Sequence, residues 1–132
     1  MTASYVVPFK IIKNLIVIEA GKGGLQVKSS YDSFVDLVKN LLRSVEVDEE
    51  WYLKRYPDIK EAIERGEIAS ARAHFLDNGY FEGRLPGQSA VDAEWYASTY
   101  PDVAEGIKAG EFRSAQDHFD QFGYEEGRFP RP

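Results

Sequence analysis

The feature that most constrains this fold is an internal repeat. The segment Val91–Pro130 is a second copy of Val47–Pro86, displaced by 44 residues, and 22 of the 40 aligned positions are identical. A shared period of this length is typical of helical repeats, which bury their apolar faces by stacking on one another. The repeat therefore predicts an architecture, but it contains no recognisable catalytic motif that would predict an activity.

Composition limits the class of protein. The chain has 132 residues, a length that is consistent with one domain or two small ones. It has no cysteine, which excludes disulfides and cysteine-based zinc sites. The first residues lack the pattern of a signal peptide, and the apolar run Ile11–Ile18 is interrupted and too short to span a bilayer. We therefore expect a soluble cytoplasmic protein without membrane insertion.

Charge is unevenly distributed along the chain. Residues 1–46 carry six Lys or Arg and four Asp or Glu, whereas residues 47–132 carry ten and eighteen. The net charge of −6 thus combines +2 on the first region with −8 on the second. An acidic surface repels phosphate groups, which argues against nucleic acid as a partner. The opposite charges also permit head-to-tail contact between neighbouring chains.

The first region is predicted to contain a small sheet of at most three strands. Residues 5–28 are rich in β-branched side chains, and the Gly-Lys-Gly-Gly segment at 21–24 suits a hairpin turn. Pro8 cannot donate a ladder hydrogen bond, so it places the first strand at an edge or a bend.

A helix over Tyr31–Arg43 is predicted to cover this sheet. Ser29 or Ser30 is its candidate N-cap. Its apolar residues fall at three- and four-residue spacings and form one stripe, which is typical of a helix with one buried face. The stripe consists of Tyr31, Phe34, Val35, Val38, Leu41 and Leu42.

The sequence of each repeat predicts three short helices. In the first copy, Asp48 and Ser70 are candidate N-caps of the first and third helices, and Pro57 suits the first position of the second. Gly66 and Gly79 are predicted to end the second and third helices. The same residue types recur 44 residues later.

The predicted fold is α+β and mainly α, in three segments. Residues 1–46 form a small hairpin and helix unit, residues 47–90 the first helical repeat and residues 91–132 the second. The short connection between the copies favours packing of the repeats on each other, or of each on the first unit.

The landmarks of the repeat resemble a short helical repeat of bacterial proteins. Its pattern is Tyr-Leu-x-x-Asn-Pro-Asp-Val, then His-Tyr or His-Phe, then Gly-x-x-Glu-Gly-Arg-x-Pro. The first copy matches at Tyr52, Pro57, Asp58, His74, Phe75, Gly79, Glu82, Gly83, Arg84 and Pro86, and the second matches 44 residues on. Tyr56 and Tyr100 stand where the pattern has Asn. The family occurs beside glycosyltransferase domains and in calcium-binding surface proteins, so the resemblance implies an accessory role for residues 47–130.

His74 and His118, the two histidines of the chain, occupy equivalent positions. One interpretation is a metal-binding or acid–base pair. We favour the other, an imidazole at the edge of the core that bonds a neighbouring carbonyl group. Both residues lie on the apolar side of a predicted helix, and no His-Glu-x-x-His motif is present.

Arg84 and Arg128 stand near the end of each repeat and are candidates for binding an anion or a carboxylate. We favour pairing with Asp58 and Asp102, because the arrangement recurs as a unit and the planar guanidinium suits two parallel hydrogen bonds. If the pair is partly buried, Arg84→Ala is predicted to destabilise the protein by roughly 3–5 kcal/mol.

Aromatic residues offer two kinds of site. Trp51 and Tyr52, with their equivalents, suit a sugar-stacking platform, but large aromatics at helical spacing favour a place in the core. Tyr80, Phe81 and Tyr124 follow a predicted helix end and are better candidates for exposed contacts.

The segment Lys10–Ile18 is apolar at both odd and even positions. A strand with this pattern buries both faces, which a unit of this size cannot cover. We therefore hypothesise that residues 5–20 pair or pack with another chain, identical or different. The candidate contact residues are Ile11, Ile12, Ile16 and Ile18.

Together these features favour a non-enzymatic interaction or adaptor module. Its N-terminal strands would produce a homo-oligomer, and its acidic repeats would dock a protein partner. One alternative is a carbohydrate-binding accessory of glycan or exopolysaccharide synthesis, and another is a small metal- or anion-dependent enzyme. No catalytic residue, cofactor or metal ligand is predicted, because nucleophile motifs, calcium loops and phosphate-binding glycine spacings are missing.

Overall fold

The computed structural model describes residues 5–132. Residues 1–4, on which the expectation about a signal peptide partly rests, lie outside the described part. The described part is mainly helical with one antiparallel hairpin, which confirms the predicted α+β class. The elements are α1 (Phe9–Lys13), β1 (Val17–Gly21), β2 (Gly24–Lys28), α2 (Tyr31–Leu42), α3 (Glu49–Arg55), α4 (Pro57–Glu64), α5 (Ala71–His74), α6 (Ala93–Thr99), α7 (Pro101–Lys108) and α8 (Ala115–His118).

The predicted hairpin is confirmed between β1 and β2. The strands pair antiparallel from Val17 opposite Lys28 to Gly21 opposite Gly24. Gly23 has φ 86° and Gly24 has φ 134°, values that glycine adopts without the steric cost of a side chain. The glycine-rich segment therefore sets both the position and the register of the turn.

The prediction of a strand before this hairpin is wrong. Residues Phe9–Lys13 form the short helix α1, which follows Pro8 in extended conformation. Proline is tolerated where a helix begins, because its missing N–H has no helical partner there. The sheet accordingly has two strands among the described residues, within the predicted limit of three.

Helix α2 begins as predicted but covers a different partner. The Ser30 side chain accepts a hydrogen bond from the Ser33 amide at 3.1 Å, so Ser30 is the N-cap. Leu42 is buried with the core of the first repeat and Val38 packs against it, whereas Phe34 is exposed. The helix therefore caps the first repeat and leaves the hairpin face open, contrary to the prediction.

The caps and breaks of the two repeats are those predicted. Asp48 accepts from the Trp51 amide at 3.0 Å, and the Ser70 hydroxyl accepts from the Ala73 amide at 3.0 Å. Pro57 begins α4 after Tyr56, which leaves helical geometry at φ −125° and ψ 76°. The equivalent residues of the second repeat make the same bonds.

The third helix of each repeat ends differently from the prediction. Helices α5 and α8 continue into π-helical turns, Phe75–Gly79 and Phe119–Gly123. Gly79 is the last residue of the first turn, but it lacks the positive φ of a glycine that terminates a helix. The positive φ falls four residues later, at Gly83 with φ 81°. A π-turn inserts an extra residue into the helix, and this shifts the stop.

Each repeat has its own core and closes on itself. Tyr52, Ile59, Ala71 and Phe75 form the first core with Leu42, and Tyr96, Val103, Ala115 and Phe119 form the second. The Asp48 amide donates to the Pro86 carbonyl at 2.9 Å, and the Asp92 amide to the Pro130 carbonyl at 3.0 Å. The two units are thus built alike and meet at their edges, where Arg55 bonds the Asp120 carbonyl.

Candidate interaction surfaces and the repeated buried network

The hairpin presents one wholly apolar face. Because paired residues of antiparallel strands lie on the same side, Ile18, Ala20, Leu25 and Val27 share a face. Leu25 is 78% exposed and Val27 61%. The opposite face carries Glu19, Gln26 and Lys28 together with the exposed Val17, and Lys28 and Glu19 form a 2.8 Å ion pair there. This division is typical of a sheet that packs on something through one side.

Exposed apolar side chains continue around the hairpin. Most large apolar side chains that are exposed in residues 5–132 lie between Tyr5 and Leu41. They include Phe9 of α1 and Tyr31 of α2. An extended apolar surface of this kind marks an interaction site more often than a scatter of single residues does.

The four isoleucines predicted as contact residues do not share one strand. Ile11 and Ile12 lie on α1, Ile16 precedes β1, and Ile18 lies on β1. Ile11 and Ile18 are exposed, while Ile12 and Ile16 are half-buried. Only Ile18 belongs to the apolar hairpin face. Leu25 and Val27, which the sequence argument passed over, are the more exposed residues of that face.

A tyrosine–histidine–glutamate chain runs from the buried core of the first repeat to the exposed Glu82. The Tyr52 hydroxyl lies 2.8 Å from His74 Nδ1, and His74 Nε2 lies 3.1 Å from Glu82 Oε1. A carboxylate only accepts, so His74 Nε2 donates to Glu82, and in the neutral tautomer that carries this proton Nδ1 accepts from the Tyr52 hydroxyl. Burial raises the pKa of Tyr52 to about 12, which keeps its hydroxyl protonated as the donor. The prediction that His74 bonds a neighbouring carbonyl group is wrong, because its partners are Tyr52 and Glu82.

The second repeat keeps the tyrosine contact but changes the glutamate. Tyr96 lies 2.8 Å from His118 Nδ1. Glu126, however, accepts from Arg128 Nε at 2.8 Å and stands 3.9 Å from His118 Nε2. The equal spacing of 22 residues between tyrosine and histidine in both copies was the available sequence signal for this pair. The histidines lie in separate networks, and each serves its own repeat.

We expect acid to weaken the second repeat through His118. Burial lowers the pKa of this imidazole below its ordinary value of 6.5, against the opposing effect of Glu126. Below about pH 6.5 the unfolded chain therefore binds a proton that the folded chain does not, and the free energy of unfolding falls. One proton contributes at most about 1.4 kcal/mol per pH unit. Urea titrations between about pH 7 and pH 5 measure this slope.

The control for this titration is His118→Gln, which removes the ionising group and flattens the decline. The pKa values of Asp58 and Asp102 are lowered by hydrogen bonds from their arginines, so their contributions are lost only under more acidic conditions. Equal slopes in the parent protein and in His118→Gln would show that His118 does not titrate with folding.

The predicted arginine–aspartate pair is present in both repeats. Arg84 donates to the two carboxylate oxygens of Asp58 at 3.0 and 2.8 Å, and its guanidinium stacks 4.9 Å from the centre of the Tyr56 ring. Arg128 repeats the bonds to Asp102 at 2.9 and 2.7 Å over Tyr100. The two parallel bonds connect the end of each repeat to its second helix.

Exposure lowers the expected effect of Arg84→Ala. The Arg84 side chain is 20% exposed, but Asp58 is 60% exposed and stays hydrated after the substitution. We therefore expect a loss of about 1–2 kcal/mol from the bidentate bonds and the stacking, instead of the 3–5 kcal/mol of a buried pair. Chemical denaturation measures the loss. Arg84→Lys is the control: it keeps the charge without the fork and should lose about half as much.

The three aromatic residues predicted to be exposed separate into two groups. Tyr80 and Phe81 are exposed and stack edge to face on each other at 5.3 Å. Tyr124 is half-buried, and burial together with the nearby hydroxyls of Tyr80 and Tyr56 raises its pKa. It lines a cleft of about 220 Å³ between the repeats, opposite Leu85.

A second, larger depression lies between α2 and the first π-turn. It measures about 480 Å³ and is flanked by Tyr31 and Phe81. Its polar lining includes Asp32, Asp36 and Asp77. The indole of Trp51, by contrast, packs against the core, and Tyr52 is fully buried, so these residues form no exposed platform.

Metal-binding clusters and membrane-spanning helices are both absent from residues 5–132. Within them no group of three or more His, Cys, Asp or Glu side chains is arranged to hold a metal ion. None of the helices there is both long enough and apolar enough to cross a membrane. Comparison with protein-family models, curated proteins and solved structures returns no match.

Proposed function

We propose that this chain is a non-enzymatic interaction module that self-associates through its N-terminal hairpin. The observation that carries the proposal is the exposed apolar face of Ile18, Leu25 and Val27. Moving a fully exposed Val, Leu or Ile side chain into a protein interior stabilises the protein by roughly 1.5–3 kcal/mol. A partner that covers the face recovers this free energy.

A second copy of the chain is the occupant that we propose for this face. A hairpin of two strands is at best marginally stable alone and needs further strands or a packed layer. The same face on another copy supplies that layer, because two apolar sheet faces pack about 10 Å apart with interdigitating side chains. Such a contact is isologous and closes as a dimer. The repeats, with their separate cores, then remain available on both sides of the dimer.

The double variant Leu25→Lys/Val27→Lys tests the hairpin interface. Four buried charges in the dimer are expected to abolish the hairpin dimer, so that in sedimentation velocity the variant sediments as a monomer at low protein concentration. Helical circular dichroism should persist, because neither repeat core contains a hairpin residue. Gln26→Lys, on the opposite face of the same strand, is the matched control and should leave the dimer intact. An unchanged dimer in the double variant would place the interface elsewhere.

Carbohydrate binding is a second candidate, supported by the depression flanked by Tyr31 and Phe81. Its volume of about 480 Å³ lies in the range of small-ligand sites, and aromatic faces beside carboxylates suit the apolar faces and hydroxyl groups of a sugar. Titration with neutral oligosaccharides followed by NMR should shift the amides around this depression, and Tyr31→Ala should abolish the shifts. Shifts that survive Tyr31→Ala would exclude this site.

A further inference from the structure

Equivalent residues at the ends of the two repeats differ sharply in exposure. Leu85 is 5% exposed, whereas Phe129, 44 residues later, is 70% exposed. Their local backbones are alike, since each amide donates to a tyrosine hydroxyl at 2.9 Å, Leu85 to Tyr56 and Phe129 to Tyr100. The difference therefore comes from what lies against each repeat.

The second repeat lies beside Leu85, across the inter-repeat cleft that both line. Its π-turn and the residues after it form one wall of the inter-repeat cleft, with Asp120, Tyr124 and Glu125 facing Leu85. Arg55 of the first repeat donates to the Asp120 carbonyl at 3.2 Å. Gly83 also lies under this wall, because a Cβ built on it would stand 3.8 Å from Glu125.

The corresponding face of the second repeat is open. Gly127, equivalent to Gly83, has no atom within 4 Å of a built Cβ. Thr99 replaces Arg55, so the bond to a neighbouring carbonyl has no counterpart there. We call the exposed Phe129, with the half-buried Tyr100 and Arg128 beside it, the tail face.

The first repeat carries the element that fits such a face. Tyr80 and Phe81 occupy the positions of Tyr124 and Glu125, and both side chains are exposed beside α2, which packs on the preceding π-turn. We call this pair the head turn. Tyr80 packs edge to face on Phe75 at 6.3 Å, as Tyr124 packs on Phe119 at 6.2 Å, so both turns present the tyrosine in the same way.

We propose that the tail face of one chain binds the head turn of a second copy, and so repeats between molecules the contact that joins the repeats within one. In the proposed contact, Phe129 stands where the internal contact has Leu85, and Phe81 stands where it has Glu125. The centre of the proposed contact is therefore apolar and aromatic. The contact is heterologous, because the two surfaces differ. Unlike the isologous hairpin contact, it extends into open chains of molecules and is independent of the hairpin.

Blocked variants in the Leu25→Lys/Val27→Lys background test this contact without hairpin association. Phe129→Lys blocks the tail face and Tyr80→Lys the head turn. In sedimentation velocity the background protein should form larger species as its concentration rises. Each blocked variant should stay monomeric at concentrations at least tenfold higher. An equimolar mixture of the two blocked variants should form a species of two chains and nothing larger, since one free tail face and one free head turn remain.

Phe122→Lys is the matched control, an exposed phenylalanine of the second repeat that contacts Phe112 and lies outside the tail face. It should associate like the background. Circular dichroism and thermal unfolding establish that Tyr80→Lys remains folded, and Phe129→Lys, at a largely exposed position, provides the second test. A background protein that is monomeric at every concentration, or a mixture that stays monomeric, would overturn the proposal.

Discussion

Tyr96→Ala is expected to destabilise the second repeat by about 3–5 kcal/mol, as for other large aromatic truncations in protein cores. The Tyr96 ring is completely buried and packs edge to face on Tyr100 at 4.8 Å and on Phe119 at 6.1 Å. Its removal leaves a cavity and also takes the hydroxyl away from His118. Urea unfolding followed by tryptophan fluorescence measures the loss, because Trp95 packs against this core.

Tyr96→Phe separates the hydroxyl from the ring. It keeps the packing but leaves the buried Nδ1 of His118 without its donor, so we expect a smaller loss of about 1–3 kcal/mol. If Tyr96→Phe costs as much as Tyr96→Ala, the ring contributes little and the description of this core is wrong.

Gly79→Ala is expected to destabilise the first repeat by about 2–4 kcal/mol, the sum of overpacking and a lost hydrogen bond. Gly79 has helical φ, where alanine ordinarily stabilises a helix by up to about 1 kcal/mol. A Cβ at this position, however, would collide with the Tyr52 hydroxyl and approach His74 Nδ1 to 3.3 Å. The methyl group therefore displaces the hydroxyl from the histidine. Thermal and urea unfolding measure the change.

The same substitution in a Tyr52→Phe background is the control. Without the hydroxyl the methyl group has room, so the cost of Gly79→Ala should fall to less than about 1 kcal/mol. Additive losses in the double variant would show that Gly79 is required for another reason. Gly123 offers the same cycle with Tyr96 in the second repeat, since a Cβ there would meet the Tyr96 hydroxyl.

The helical caps were predictable because each depends on a few neighbouring residues. Ser30, Asp48 and Ser70 accept a backbone amide three residues later, which side-chain chemistry alone dictates. The break at Pro57 follows in the same way from the steric demand of proline on Tyr56. The paired glycines of the hairpin turn are a local signal of the same kind.

The segment before the hairpin was not predictable from residue type. β-Branched side chains at Ile11 and Ile12 favour a strand, but a strand needs a partner edge with free backbone groups. Here the Ile11 amide bonds the Pro8 carbonyl at 3.0 Å, and the Leu15 amide bonds the Ile12 carbonyl at 3.0 Å. Local bonds thus satisfy the backbone and a short helix results.

The candidate site was predictable in part. The match of Arg84 with Asp58 follows from opposite charges that recur as a unit, but the exposure of Asp58, which sets its energetic effect, depends on tertiary packing. The tyrosine partner of His74 lies 22 residues away, and the sequence spacing alone does not show that α3 and α5 cross there. The burial of Leu85 and exposure of Phe129 likewise require knowledge of what lies beside each repeat.

Sedimentation velocity of the full chain over a dilution series, beside Leu25→Lys/Val27→Lys, tests the proposed interaction function most directly. The account predicts that the parent protein is dimeric or larger and dissociates on dilution, and that the variant loses the hairpin dimer while keeping its helical signal. A parent protein that sediments as a monomer at every concentration would contradict self-association through the hairpin.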